Sequence, residues 1–273
     1  MATLLKPRIG HGMNMVVRRG QAGLKLLRFG LLVLEAGKTY RASTGSEELV
    51  GVVLSGRCGL ACDGVREVAI GCRRQVFAGR AWGFFVSRDC SYELRAVERA
   101  TVAMVSAPAK EKLDCYVVSP DEVQVVRTGE ANWCRDVHNI VGPDRKASRL
   151  LVGETFNRPG CWSGSPPHRH EADNYPEEVD LEELYYFKLW PSTGFGVQVV
   201  YTDDRKTDQA FVLRDDYTVA IPEGYHPVVA APGHQIYYLW MMAGEDRRMA
   251  PRDDPDHAWL KHCEAILRMQ KEK

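Results

Sequence analysis

The chain has 273 residues, enough for one large domain or for two of about 130 residues, since domains commonly run to ~100–200 residues. Its 36 basic residues balance its 36 acidic ones, which argues against a nucleic-acid or membrane-surface partner and favours a small ligand. No apolar run approaches the roughly 20 residues that cross a bilayer and no signal-peptide core opens the chain, so a cytoplasmic protein is expected.

In chain order, the first 34 residues carry Lys6, Arg8, Arg18, Arg19, Lys25 and Arg28 but no acid, a composition shared with transit peptides. Residues 26–34 nevertheless read as a core strand. Short runs rich in Val, Leu, Tyr and Phe follow between Gly, Pro, Asp and Asn punctuation, at 49–54, 197–201, 217–221 and 236–242. These predict antiparallel strands of a sandwich or barrel. Turns are expected at Cys62-Asp63-Gly64 and Thr202-Asp203-Asp204. A helix is expected over 255–273, where Trp259, Cys263, Ile266 and Leu267 share a helical spacing. The eight cysteines include no Cys-x-x-Cys pair and read as reduced, mostly buried thiols.

At an offset of 135 residues, Glu47-Glu48-Leu49-Val50 lies over Glu182-Glu183-Leu184-Tyr185, which suggests two copies of one β unit. The segment before Glu47 has no histidine, so the first copy is expected to be a metal-free partner. The expected division is an N-terminal barrel at 1–106, a connecting strap at 107–146 and a metal-binding barrel with the terminal helix at 147–273.

The chemistry concentrates in the second copy. In Pro166-Pro167-His168-Arg169-His170 the prolines hold the chain extended, and residues i and i+2 of an extended chain share a face, so His168 and His170 can enter one cavity. Glu182-Glu183 and Pro222-Glu223-Gly224-Tyr225-His226 offer a carboxylate and a third imidazole, the latter behind a tight turn. Three nitrogens and one carboxylate suit a divalent ion with open positions. Adjacent glutamates on a strand face opposite ways, so only one of Glu182 and Glu183 can take part. The acids Glu171, Asp173, Glu177, Glu178 and Asp180 read as a solvated loop, His11, His138, His257 and His262 as surface or packing residues, and His234 as a turn residue.

The run from Trp162 to His170, Glu182-Glu183-Leu184-Tyr185-Tyr186, the run from Pro222 to Gly233, and Tyr237-Tyr238-Leu239-Trp240-Met241-Met242 together resemble the 5-deoxy-glucuronate isomerases of inositol catabolism, nearly end to end. Asn132-Trp133-Cys134-Arg135-Asp136-Val137 and Leu150-Leu151-Val152-Gly153-Glu154 add to the likeness. Ser163-Gly164-Ser165 and His170-Glu171-Ala172-Asp173 depart from the family's more usual Ser-Ser-Tyr and His-Asp, and eleven residues separate His170 from Glu182 where many cupins have a few. The resemblance implies an all-β bicupin, two cupin-type β-barrels of the double-stranded β-helix kind with a short C-terminal helix. It also implies one divalent metal ion, with zinc, manganese, iron and nickel all compatible, on His168, His170, His226 and one glutamate. The related uronate isomerases' Glu-x-x-x-Tyr-Phe register favours Glu182. The implied reaction is the aldose–ketose isomerisation of 5-deoxy-D-glucuronate to 5-dehydro-2-deoxy-D-gluconate, which moves a proton between adjacent carbons through an enediol. Glu183, Glu154 and Tyr185 are the expected catalytic groups, with Tyr186 and Tyr225 behind them. Arg135, Arg169 and Lys188, with Arg158, are expected to bind the substrate carboxylate, which a guanidinium fork matches. Alternatives are another uronate ketol-isomerase, an oxygen-dependent metal cupin and a non-catalytic sugar-acid-binding bicupin. Pairing through sheet edges makes a homodimer the expected assembly.

Overall fold

The computed structural model describes residues 1–271, the side chain of Glu67 excepted. The first half supplies β1 (Thr3–Leu5), β2 (Gly12–Val17), β3 (Arg28–Leu34), β4 (Thr39–Ser43), β5 (Glu47–Ser55), β6 (Cys58–Cys62), β7 (Val65–Ile70), β8 (Gly83–Val86), β9 (Ser91–Ala96) and β10 (Ala100–Pro108). Then come β11 (Tyr116–Val118), β12 (Gln124–Thr128), β13 (Arg135–Val141), β14 (Leu150–Asn157), β15 (Trp162–Ser163), β16 (His168–Arg169) and β17 (Glu182–Trp190). The chain closes with β18 (Gly196–Tyr201), β19 (Asp208–Leu213), β20 (Thr218–Ile221), β21 (Val228–Ala230), β22 (Gln235–Ala243), β23 (Arg252–Asp253) and one helix, α1 (Leu260–Lys271). Both predicted turns join hairpin strands, β6–β7 and β18–β19. The helix starts later than its sequence pattern suggests, because residues 255–259 form turns, and the end of the expected span lies outside the described residues.

Each half pairs a large sheet with a small one. The first has the order β11-β8-β5-β10-β3-β2 with β4-β9-β6-β7, and the second β1-β20-β17-β22-β14-β13-β12 with β15-β21-β18-β19. Outer strands such as β4 and β19 alternate exposed and half-buried residues, as a sheet with one wet face must. The central strands β5, β17 and β22 are buried on nearly every residue, so they read as continuous apolar runs. Their second face is covered by the other half. One core cluster joins Leu31, Val52 and Val105 to Leu150, Leu184 and Tyr237, while separate cores fill the two barrels.

Two reciprocal devices bind the halves together. The leading strand β1 adds to β20 of the second barrel, and β11, in the segment expected to be a strap, adds to β8 of the first. The carboxylate of Glu48 on β5 accepts backbone N–H bonds from Ser148, Arg149 and Leu150 at the entry to β14. That of Glu182 on β17 does the same for Lys25, Leu26 and Leu27 at the entry to β3, at 2.6, 2.7 and 2.5 Å. The equivalence extends to register: Glu48 lies opposite Ala107 of β10 and Glu182 opposite Ala243 of β22. Glu48 therefore corresponds to Glu182, and the sequence repeat as aligned above is one residue out of step. A one-residue slip exchanges the faces of a strand. The first-barrel counterpart of Glu183 is Leu49, so the first half carries an apolar side chain where the second carries a carboxylate.

Candidate functional site

His170, Glu183 and His226 converge inside the second barrel, each more than nine-tenths buried, with one donor atom of each within 4.8 Å of the others. Glu183 Oε2 lies 3.1 Å from Nε2 of both His170 and His226. The other ring nitrogens are held by the backbone, His170 Nδ1 on Leu181 O and His226 Nδ1 on Gly224 O at 2.7 Å. A carbonyl only accepts, so each Nδ1 carries a hydrogen, and each Nε2 faces the carboxylate, with a hydrogen when the ring is protonated and with a free lone pair when it is neutral. Gly224 makes the His226 presentation possible. Its φ of +96° is left-handed, and a Cβ there would stand 2.7 Å from Tyr201 O.

Burial opposes the charge on Glu183, but the His170 and His226 imidazoles facing it outweigh burial and hold its pKa down to about 2. Burial likewise opposes charging His170, and Glu183 overrides it and raises the imidazole. His226 Nε2 is buried without a hydrogen-bond partner. Two inward lone pairs and a carboxylate oxygen, one of the nitrogens orphaned, are the donor set a divalent cation satisfies, and the outer carbonyls fix the tautomer a ligating histidine needs. The residues therefore fit a metal ion.

The triad opens on a cavity of about 130 Å³ lined by Arg135, Ser163, His168, Tyr185, Tyr238 and Trp240 among others. His168 lies outside the tight cluster, with its ring 5.0 Å from that of His226. Burial and then the neighbouring imidazoles push its pKa well below the usual range, so it is neutral. The Tyr185 ring lies 4.4 Å from that of Tyr238, tilted by 31°, and burial with the Glu183 charge keeps its phenol protonated. Arg135 donates only to two backbone carbonyls, Trp133 O at 3.3 Å and Ser165 O at 3.5 Å, so among the described residues no carboxylate neutralises it.

The remaining expected site residues lie elsewhere. Glu182 is not part of the His170–Glu183–His226 group: it faces the other half and its oxygens are taken by the three N–H groups at 25–27. Glu154 is not in the cavity either. It is buried on the opposite face of β14 from Thr155, in an ion pair with Arg73 and a 2.9 Å hydrogen bond from Tyr237. Arg169 points away from its flanking histidines, pairing with Asp203, Glu171 and Glu178. Lys188 pairs with Asp215 and Asp216 in a cavity between the halves. Tyr186 donates to Asp216, and Tyr225 donates to Asp203 at 3.0 Å. Sequence reasoning passed over Ser163, Thr155 and Tyr238, which share a hydrogen-bonded cluster on the cavity wall. The strand parity of Tyr238, shared with Trp240 and Met242 on β22, was the available signal.

The KduI/IolB family model matches residues 4–260. The chain belongs to the KduI/IolB family. Among its relatives, the 5-deoxy-glucuronate isomerase of Geobacillus kaustophilus is 40% identical over 252 residues, 92% of this chain and 91% of that protein. The 5-deoxy-glucuronate isomerase of Bacillus subtilis is 34% identical over 92% of this chain and 94% of its own length. A solved IolB-like protein from Salmonella typhimurium superposes with a TM-score of 0.91 at 30% identity, covering 94% of this chain and 98% of that one. The oxalate decarboxylase of Lactobacillus farciminis, TM-score 0.63 at 10% identity over 91% of this chain and 86% of that one, shares the fold alone. The fold of this KduI/IolB member is thus the bicupin, and no helix among its described residues is long and apolar enough to cross a membrane.

Proposed function

We propose that this protein is a metal-dependent aldose–ketose isomerase that converts 5-deoxy-D-glucuronate to 5-dehydro-2-deoxy-D-gluconate. The observation that carries the reading is one cavity lined both by His170 and Glu183 of the buried His170–Glu183–His226 group and by the unneutralised Arg135. These match the two ends of a uronate, a carbonyl beside a hydroxyl at one and a carboxylate at the other. The relatives named above carry the same activity in their names.

His170, Glu183 and His226 would hold the ion, with His168 beside them as a fourth donor. A divalent cation, when bound, supplies Lewis acidity that makes the proton next to a carbonyl easier to remove. Arg135 orients the substrate by gripping its carboxylate with its fork. Tyr185, protonated at every working pH, donates a hydrogen bond to the oxygen on which negative charge develops. Val137, Leu181, Trp240 and Met242 line the apolar wall and limit water access while the proton is in transit.

The test is an NMR time course of the metal-loaded protein with 5-deoxy-D-glucuronate in heavy water, with 4-deoxy-5-hexosulose-uronate in parallel. The ketose should appear from the first substrate, with deuterium at the new hydroxymethyl carbon if the proton exchanges. Conversion of the second sugar alone would move the assignment to another uronate isomerase, and conversion of neither would leave a sugar-acid-binding protein.

A further inference from the structure

The first barrel, which lacks the histidine and glutamate set, holds a different reactive group. Three cysteines from three separate segments meet at one end of its small sheet: Cys62 closing β6, Cys90 in the turn between β8 and β9, and Cys115 just ahead of β11. Cys115 is the centre. Its sulfur lies 3.8 Å from that of Cys90 and accepts a hydrogen bond from the Ser87 backbone N–H at 3.4 Å. Cys90 is fully buried, whereas Cys62 and Cys115 are partly accessible and Cys62 lines a surface cavity with Asp63. Lys112, on the same segment as Cys115, reaches Asp63 at 4.0 Å, so ionic and thiol contacts close the same seam.

We propose that Cys115 is an oxidisable thiol that reacts with peroxide and closes a disulfide to Cys90, stapling the segment ahead of β11 to the first barrel. The Cys115 thiolate attacks one oxygen of hydrogen peroxide, an S–O bond forms as the O–O bond breaks, and hydroxide leaves with a proton as water. The Cys90 sulfur then attacks the sulfenic sulfur, the S–S bond forms as the S–O bond breaks, and the Cys90 proton departs with that hydroxyl as a second water. Two thiols are oxidised and one peroxide is reduced. The sulfurs must close from 3.8 Å to the ~2.05 Å of a disulfide, a side-chain movement at the start of a short edge strand. The neighbouring Cys62 thiol supports the assignment by drawing the Cys115 pKa down to about 6 against burial, with the Ser87 N–H and Cys90 assisting. Cys90 is pushed the other way, to about 12, chiefly by burial, so Cys115 is the attacking thiol and Cys90 the resolving one.

The test uses the metal-loaded full chain, reduced, dosed with hydrogen peroxide, quenched with N-ethylmaleimide and mapped by mass spectrometry. The expected product is a Cys90–Cys115 crosslinked peptide, with loss of two hydrogens from the intact mass, absent from both Cys115→Ser and Cys90→Ser. At neutral pH Cys115 should alkylate roughly ten-fold faster than the exposed Cys72 in wild type, and this excess should fall in Cys62→Ala. Oxidation confined to Cys72 or Cys263, a Cys62–Cys115 link in place of Cys90–Cys115, or alkylation of Cys115 at the Cys72 rate would each overturn the proposal.

Discussion

Two adjacent glutamates on β17 do unrelated work, and parity decides which does which. Glu183 shares its face with Tyr185 and Phe187 and points into the barrel, whereas Glu182 shares its face with Leu184, Tyr186 and Lys188 and points at the other half. Glu183→Gln should lose bound metal and turnover with little change in melting temperature, read by metal analysis beside a thermal melt. Glu182→Ala should keep the metal but cost about 2–4 kcal/mol, because three charge-assisted hydrogen bonds vanish and leave backbone donors without partners. The opposite pattern would return the metal to Glu182. The same parity separates the arginines. Arg135→Met should raise the KM for the uronate about 10- to 100-fold, the value of one charge-assisted fork, while Arg169→Gln leaves it near wild type. That His168 and His170 enter one cavity was legible because i and i+2 on an extended chain must agree in direction, and that rule already turns Arg169 outward. Parity alone could not rank Glu182 against Glu183, since Glu182's partners are backbone N–H groups more than 150 residues away in the chain.

At the scale of elements, the segment between β7 and β8 brings Arg73 against Glu154 on β14 of the other half. Both side chains are almost wholly buried, and Arg73 also donates to Val53 O and Gly79 O at 3.1 Å. A buried pair of this kind adds little net stability over an apolar one, but removing one member strands the other's charge. Arg73→Met should therefore cost about 3–5 kcal/mol, and the double variant Arg73→Met with Glu154→Leu should recover much of that loss in denaturant titrations. If the single variant is as stable as wild type, the pair does not act as the connection between halves. Strand positions were readable from sequence because apolar runs and turn residues are local signals. The Arg73–Glu154 link was not: Glu154 looks from sequence like any carboxylate near a site, and only the opposite face of β14, where Thr155 meets the cavity, removes it from the chemistry.

For the whole molecule, the division into an N-terminal barrel, a strap and a C-terminal barrel describes the chain's order better than its cohesion. β1 completes the second barrel's sheet, β11 completes the first's, and the apolar residues between the large sheets come from both halves. Glu48 and Glu182 then tie each barrel to the strand entry of the other. Separating the halves would expose one entire face of both large sheets, together with six backbone donors now held by carboxylates. Neither half is expected to keep its structure at that cost, since burial of an apolar sheet face is worth more than the few kcal/mol by which a domain is stable. The expectation is a single cooperative unfolding transition, with calorimetric and van't Hoff enthalpies in agreement despite the two-barrel architecture. Residues 147–273 expressed alone should lack a native-like melt and bind no metal, although they contain every residue of the candidate centre. Two resolved transitions in the full chain, or a folded and metal-loaded C-terminal fragment, would show that the shared core is an interface between independent domains.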